Sequence, residues 1–267
     1  MTTKFLQHKD GQIAYEVTGE GPLIVCVPSL GDVRGEYRFL VPILVAAGYR
    51  VVTIDVRGHG ETTADWDDYS VVGVGQDILA LIRELDAGPA IIVGTSMGGG
   101  AAIWSAVEAP ELIRGIVMID PFVDGDGNPF LMTLLSLMLA RPWGPSMWMK
   151  YYSSLYPTRK PTDFDKYASA LYSNLKQPGR LEATLEMLRA SKRASGERMP
   201  NVTQPVLVLM GSKDPDFKNP EAEAKRVAAA VRGSYKIIEN AGHYPHAEMP
   251  EVTGPLLLDF MQSLSKN

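Results

Sequence analysis

A chain of 267 residues, 45% apolar and 21% charged, can fill one large domain or a domain carrying an insertion, with a sizeable core. A nucleic-acid binder normally shows a basic face, and with a formal net charge of −5 neither DNA nor RNA is an expected partner. The single cysteine, Cys26, excludes an intramolecular disulfide, the first residues lack the apolar core of a signal peptide, and no run approaches the roughly 18 apolar residues of a membrane span; a cytoplasmic protein without a membrane partner is expected.

Asp10-Gly11 near the start is a two-residue hairpin signal between strand-like segments. The pattern then changes. LIVCVP (23–28), RVVTID (50–55), AIIVG (90–94), IVMID (116–120), PVLVLMG (205–211) and YKIIE (235–239) are short apolar runs rich in β-branched residues, as in strands covered on both faces of a parallel sheet. Cys26 reads as a buried residue of the first of these runs. Between the runs lie segments of helical period. In 70–85, Val71, Val74, Ile78, Leu81, Ile82 and Leu85 form one stripe, and 97–109, 219–231 and 250–265 read alike. Strands alternating with helices predict a mostly parallel α/β sheet with helices on both faces. The rhythm breaks between Asp120 and Pro205, where helical segments near 128–140, 144–156, 162–175 and 180–194 predict a helical cap inserted after the sixth strand. The expected organisation is a core of 1–121 and 201–267 with a cap of 122–200. Arg189, Lys192, Arg193 and Arg198, the most basic stretch, read as a solvated helix end.

GTSMGG (94–99) follows directly on the strand AIIVG and opens a helix, the strand–turn–helix context of a G-x-S-x-G nucleophile elbow. The serine of such a turn is strained so that its hydroxyl stands clear, and its neighbours two positions away must lack side chains; Gly94 and Gly98 meet that need. Ser96 then stands at a helix N-terminus, and the N–H of Met97 is a natural oxyanion donor. Gly100-Ala101 stands where a phosphate-binding loop needs Lys-Ser/Thr, and Gly73-x-Gly75 lacks its third glycine. A serine hydroxyl needs a base, and the base an orienting acid. Asp214 stands just past one strand end, with Asp216 as an alternative acid, and His243 just past the last strand; Asp124 and Asp126 after the sixth strand are another possible acid site. The order Ser, Asp, His fits the fold. Around DGDGNP the calcium-loop pattern fails at Pro129 and Leu135, and no His/Cys/carboxylate cluster has metal spacing; neither a metal nor another cofactor is expected.

With the loop after LIVCV, DVRGHG (55–60), GTSMGG, GSKD (211–214) and GHYPHAE (242–248), the chain resembles the α/β-hydrolase superfamily, within it the capped esterases, C–C bond hydrolases, lactonases and cofactor-free haloperoxidases. The resemblance implies Ser96 as nucleophile, His243 as general base then acid, and Asp214 as its carboxylate. It places the second oxyanion donor on the N–H of Leu30, in a loop reading Pro28-Ser29-Leu30-Gly31 where the family usually has His-Gly. It makes His59 a structural residue rather than a base; Asp55 and Arg57 read as a buried pair, and His246 and Glu248 as braces of the His243 loop. The cap is rich in Met132, Met138, Trp143, Met147, Trp148, Met149, Tyr151, Tyr152 and Tyr156, most of which pack the cap. Phe122, Trp143, Met147 and Tyr244 are the candidates to line an apolar site over Ser96. The expected partner is a small-molecule substrate, cleaved as an ester, thioester or lactone. C–C bond hydrolysis or perhydrolysis with the same three residues is the alternative, and a non-catalytic small-molecule binder the third. The sequence leaves the oligomeric state open.

Overall fold

The computed structural model describes residues 2–9, 11–124, 137, 139 and 142–264. Eight strands form one sheet: β1 (Lys4–His8), β2 (Gly11–Thr18), β3 (Leu23–Val27), β4 (Arg50–Ile54), β5 (Ala90–Thr95), β6 (Ile113–Ile119), β7 (Val206–Gly211) and β8 (Ser234–Ile238), in the order β1-β2-β4-β3-β5-β6-β7-β8. The first two pairings are antiparallel and the rest parallel. The β1–β2 hairpin closes with His8 opposite Gly11; Asp10 of the expected turn lies outside the described residues.

The apolar runs are strands buried on both sides, as their continuity predicts. In β3, Leu23, Val25 and Val27 join one core while Ile24 and Cys26 join the other, and β5, β6 and β7 divide in the same way. YKIIE departs from this. As β8 it is an edge strand whose burial alternates, because helices cover only part of it.

Helices α1 (Leu40–Ala46), α2 (Val71–Leu85), α3 (Met97–Glu108), α4 (Gly144–Ser154), α5 (Phe164–Leu175), α6 (Arg180–Arg189), α7 (Arg193–Gly196), α8 (Pro220–Ala230), α9 (Pro245–Glu248) and α10 (Pro250–Ser263) fill the connections. Helix α2 begins where its sequence allows it, with the Ser70 hydroxyl accepting the Val72 N–H, and stops at Asp86 in the left-handed region. Helices α2, α3 and α8 pack on one face, and α1 and α10 on the other. Gly73-x-Gly75 is neither a phosphate loop nor idle. A Cβ at Gly75 would lie 2.4 Å from the Trp104 ring on α3, and one at Gly73 2.4 Å from Arg57. These glycines let α2 approach both.

Helices α4 to α7 all fall between β6 and β7. They sit over the carboxyl ends of the strands: Trp148 of α4 packs on Gly31, and Tyr167 of α5 donates to Asp32, both in the loop after β3. The helix expected over 128–140, with Met132, Met138 and Asp126, lies outside the described residues apart from Leu137 and Leu139.

Candidate active site

At the end of β5 the chain turns through Ser96 with φ 54° and ψ −118° and enters α3. A serine in that region is strained by about 1–3 kcal/mol, which the surroundings must enforce. They do so by hydrogen bonds. Its N–H donates to the Ile119 carbonyl at 2.8 Å, and its own carbonyl accepts from Gly99 and Phe122. The flanking glycines are required by space. A Cβ at Gly98 would stand 2.4 Å from the Val27 carbonyl oxygen, and one at Gly94 2.4 Å from that of Gly98. The Ser96 side chain is left at the floor of a cavity of about 360 Å³, at the lower end of the usual small-molecule range.

His243 opens onto the same cavity, and its Nδ1 donates to Asp214 Oδ2 at 2.7 Å. The other Asp214 oxygen accepts the Asp216 N–H at 2.9 Å. Asp214 stands in the turn after β7, held by its own N–H on Gly211 O and by Lys213 N–H on Ala241 O. The His243 N–H donates to Leu155 O at the end of α4, and the Gly242 N–H donates to Glu248 Oε2 at 2.6 Å. So Glu248 does hold the His243 loop. His246 reaches elsewhere, with Nε2 3.1 Å from Glu36 Oε1, while the other Glu36 oxygen accepts the Ser29 N–H. The buried Glu36–His246 pair therefore ties the His243 side of the cavity to the loop after β3.

That loop presents the Leu30 N–H between two anchored amides. Ser29 N–H is taken by Glu36 and Gly31 N–H by His59 Nε2 at 3.1 Å. His59 Nδ1 lies 3.0 Å from Arg57 O, so the proton belongs on Nδ1 and Nε2 is the acceptor. Burial pushes the imidazole down to about 4, which keeps it neutral in that role. His59 is thus structural: it braces the loop and lies off the cavity. The Met97 N–H, first of α3, has no intrahelical acceptor. Leu30, Met97 and Ser96 all line the cavity.

Burial opposes charge on His243, but Asp214, with lesser help from Asp216 and Glu36, overcomes it and the imidazole is pushed up to about 9. Asp214 itself, although burial acts against its charge, is held below the usual carboxylate range by His243. Asp216, the alternative acid, is 3.9 Å from His243 Nδ1 and accepts the Tyr151 hydroxyl of α4 instead. Asp124 is exposed at the cavity rim and pairs with Arg226.

Of the expected lining residues, Phe122 and Tyr244 are in place, the Phe122 ring 6.1 Å from that of His243 and the Tyr244 hydroxyl 2.8 Å from Ser29 Oγ. Trp143 and Met147 are not. Trp143 is 57% exposed, and Met147 packs on the cluster of Leu139, Trp148, Leu175, Leu181 and Leu185 rather than lining the cavity. Tyr151, Leu155 and Leu188 line the cavity in their stead. The basic stretch also divides. Arg189, Arg193 and Arg198 pair at the surface with Glu186, Glu197 and Glu108, whereas Lys192 lines the cavity.

Arg57 corrects another expectation. Its guanidinium is clamped by Asp77 of α2 at 2.8 and 2.7 Å, not by Asp55, which takes Arg34. The sequence reading also missed Asp120, the residue that ends IVMID. It is fully buried beside Asp214 and His243, and the donor atoms of the three lie within 4.8 Å of one another. An acid closing an apolar strand next to the site was the available signal. Among the described residues this trio alone could share a metal ion, but His243 Nδ1 is already taken by Asp214 and none of the three residues is more than 2% exposed.

Residues 24–254 match the model of a family described as the alpha/beta hydrolase family. The chain belongs to that family. Among relatives of this hydrolase, a Mycobacterium tuberculosis protein designated provisionally as the non-heme bromoperoxidase BpoC is 30% identical, covering 94% of this chain and 98% of its own. Human monoglyceride lipase is 28% identical over 93% of this chain and 85% of the lipase. In fold, a thermophilic esterase from Thermogutta terrifontis superposes with a TM-score of 0.83 at 21% identity, covering 99% of both chains. Among the described residues no helix is long and apolar enough to cross a membrane.

Proposed function

We propose that this hydrolase cleaves a small, predominantly apolar ester, thioester or lactone through an acyl-enzyme on Ser96. One observation carries the reading: a strained serine at a helix N-terminus and a histidine bonded through Nδ1 to a buried aspartate face one cavity. Ser96 Oγ attacks the carbonyl while His243 takes its proton on the ring nitrogen that Asp214 leaves available. Asp214 keeps the imidazole in that tautomer and stabilises the imidazolium. The Leu30 and Met97 N–H groups receive the oxyanion, each worth about 3 kcal/mol when aimed at it. His243 then returns the proton to the leaving alcohol, thiol or ring oxygen, and water, deprotonated by His243, releases the acid. Leu30, Met97, Phe122, Leu155, Leu188 and Tyr244 surround the reacting carbonyl with apolar surface. A cavity of about 360 Å³ favours a small substrate over a triglyceride.

The test joins covalent labelling to turnover. A fluorophosphonate is expected to add to Ser96 of the folded protein, and short-chain aryl esters to be hydrolysed faster than a ring-cleavage diketone. An unlabelled Ser96 in protein inert to every ester would overturn the reading. Relatives named as bromoperoxidases favour a second one, in which hydrogen peroxide replaces water on the acyl-enzyme and a peracid leaves. Peracid formation outrunning ester hydrolysis would select it.

His243 must be neutral to accept the serine proton. Its raised pKa therefore predicts that kcat/KM climbs as pH rises, with a midpoint above the ordinary imidazole value of 6.5 and toward 9. An Asp214→Asn variant, lacking the charge that holds the imidazolium, is expected to move that limb down while losing most of the rate. A wild-type midpoint below 6.5 would contradict the geometry of the pair.

A further inference from the structure

Behind Asp214 lies a carboxyl group with no part in the steps above. Asp120 directly follows β6, the neighbour of β7, in a left-handed backbone conformation (φ 42°). Its Oδ1 accepts the Gly211 N–H at 2.9 Å, and that N–H belongs to the strand end from which the Asp214 turn departs. Its Oδ2 is buried and finds no N–H among the described residues. What it meets is Asp214: oxygens of the two carboxyl groups and a ring nitrogen of His243 lie within 4.8 Å of one another, all three residues buried. Two carboxylates in such contact away from water cannot both be ionised, and a hydrogen bond between them requires one proton.

The partners of each acid decide where that proton rests. Asp214 receives two donors, His243 Nδ1–H and Asp216 N–H, one on each oxygen. Asp120 receives, among the described residues, only Gly211 N–H, is wholly enclosed, and faces Glu248 of α9 as a further negative group. Burial, then Asp214, raises Asp120 well above the usual carboxylate range, and His243 holds Asp214 below it.

We propose that Asp120 is a positioning residue: a neutral carboxylic acid whose O–H donates to Asp214, turning that carboxylate onto His243 Nδ1 and limiting how strongly it attracts the imidazole proton. This rests on the reading of His243 as the base, so the test reads the imidazole directly and does not need turnover. His243 is faced by Asp214, Asp216 and Glu36, and Asp120 by Asp214 and Glu248; all four stay intact in the variants below.

The ring of His243 is titrated by nitrogen-15 NMR in the full-length protein, alongside kcat/KM against pH on whichever ester the wild type turns over. Asp120→Asn keeps a neutral donor to Asp214, an acceptor for Gly211 N–H and tolerance of the left-handed backbone. Its His243 midpoint is expected within about 0.3 pH units of wild type, and its rate within about threefold. Asp120→Gly accepts the backbone conformation but removes the donor. Asp214 then becomes more basic, and the His243 midpoint is expected to rise by at least half a unit with a rate loss of about tenfold or more. A fall of a unit or more in Asp120→Asn would mean that a negative charge had been removed, and would overturn the proposal. So would an unmoved midpoint in Asp120→Gly. If the glycine variant fails to fold, the asparagine result alone decides between neutral and ionised Asp120. Absent esterase activity with the predicted titrations would sink the proposed function and leave the assignment of Asp120 standing.

Discussion

Replacing Ser96 with alanine is expected to lower kcat by at least about three orders of magnitude, a loss of about 4 kcal/mol of transition-state stabilisation. The side chain removed is small and 7% exposed, so packing changes little. The backbone stays at positive φ, where alanine is somewhat worse than serine, and the melting temperature should fall by no more than a few degrees. The Leu30 and Met97 amides remain, so a residual rate above that in water is expected from oxyanion stabilisation and binding. The decisive comparison is with His243→Ala and the double variant. If hydroxyl and imidazole act as one unit, the second substitution costs almost nothing after the first. Two full, additive losses would mean that the histidine acts on something other than the serine, and a Ser96→Ala enzyme within tenfold of wild type would remove Ser96 from the mechanism. Matching circular dichroism spectra for the three proteins guard against a folding artefact.

What could be read beforehand follows from the range of each interaction. The parallel sheet was legible because strands buried on both faces leave unbroken apolar runs, and the elbow because Gly94 and Gly98 are fixed by contacts of 2.4 Å that no side chain could accept. Asp214 and His243 were legible because each stands at a strand end, where the fold delivers side chains to one rim. Side-chain partnership was harder. Asp55 and Arg57 are two residues apart, yet the chain turns after β4, so Arg57 reaches α2 while Asp55 meets Arg34. Trp143 and Met147 are large and apolar, but composition does not say which side of α4 faces Ser96, and one is exposed while the other packs inward elsewhere. Asp120 escaped because burial of an acid becomes plausible only when a second acid and a proton are placed beside it.

The Arg57–Asp77 pair is expected to matter most for stability. Both side chains are 1% exposed, and the guanidinium is gripped in a fork by the two Asp77 oxygens. It also donates to Asp68 O and lies over the Trp66 ring at 4.5 Å, with Gly73 leaving room beside it. Such a pair costs so much to desolvate that its net worth against apolar residues is small, but removing one member strands the other. Asp77→Ala leaves a buried guanidinium without its counter-charge and should destabilise by about 3–5 kcal/mol. For a domain of this size that corresponds to a melting temperature lower by about 10 °C. Arg57→Met with Asp77→Leu removes both charges and keeps most of the volume, so it should recover much of that loss. The order of the three proteins in urea denaturation is the measurement. A double variant less stable than Asp77→Ala would show that the pair contributes more than mutual charge neutralisation, and a single variant costing under 1 kcal/mol would show that water or a neighbour reaches the guanidinium. The consequence reaches the site, because Arg57 O anchors the Nδ1 proton of His59, and His59 in turn holds the Gly31 amide beside Leu30. If the proposed role of the Leu30 amide holds, an Asp77→Ala protein kept folded at low temperature should therefore lose kcat before it loses substrate affinity, as the loop after β3 loosens while the apolar walls stay in place.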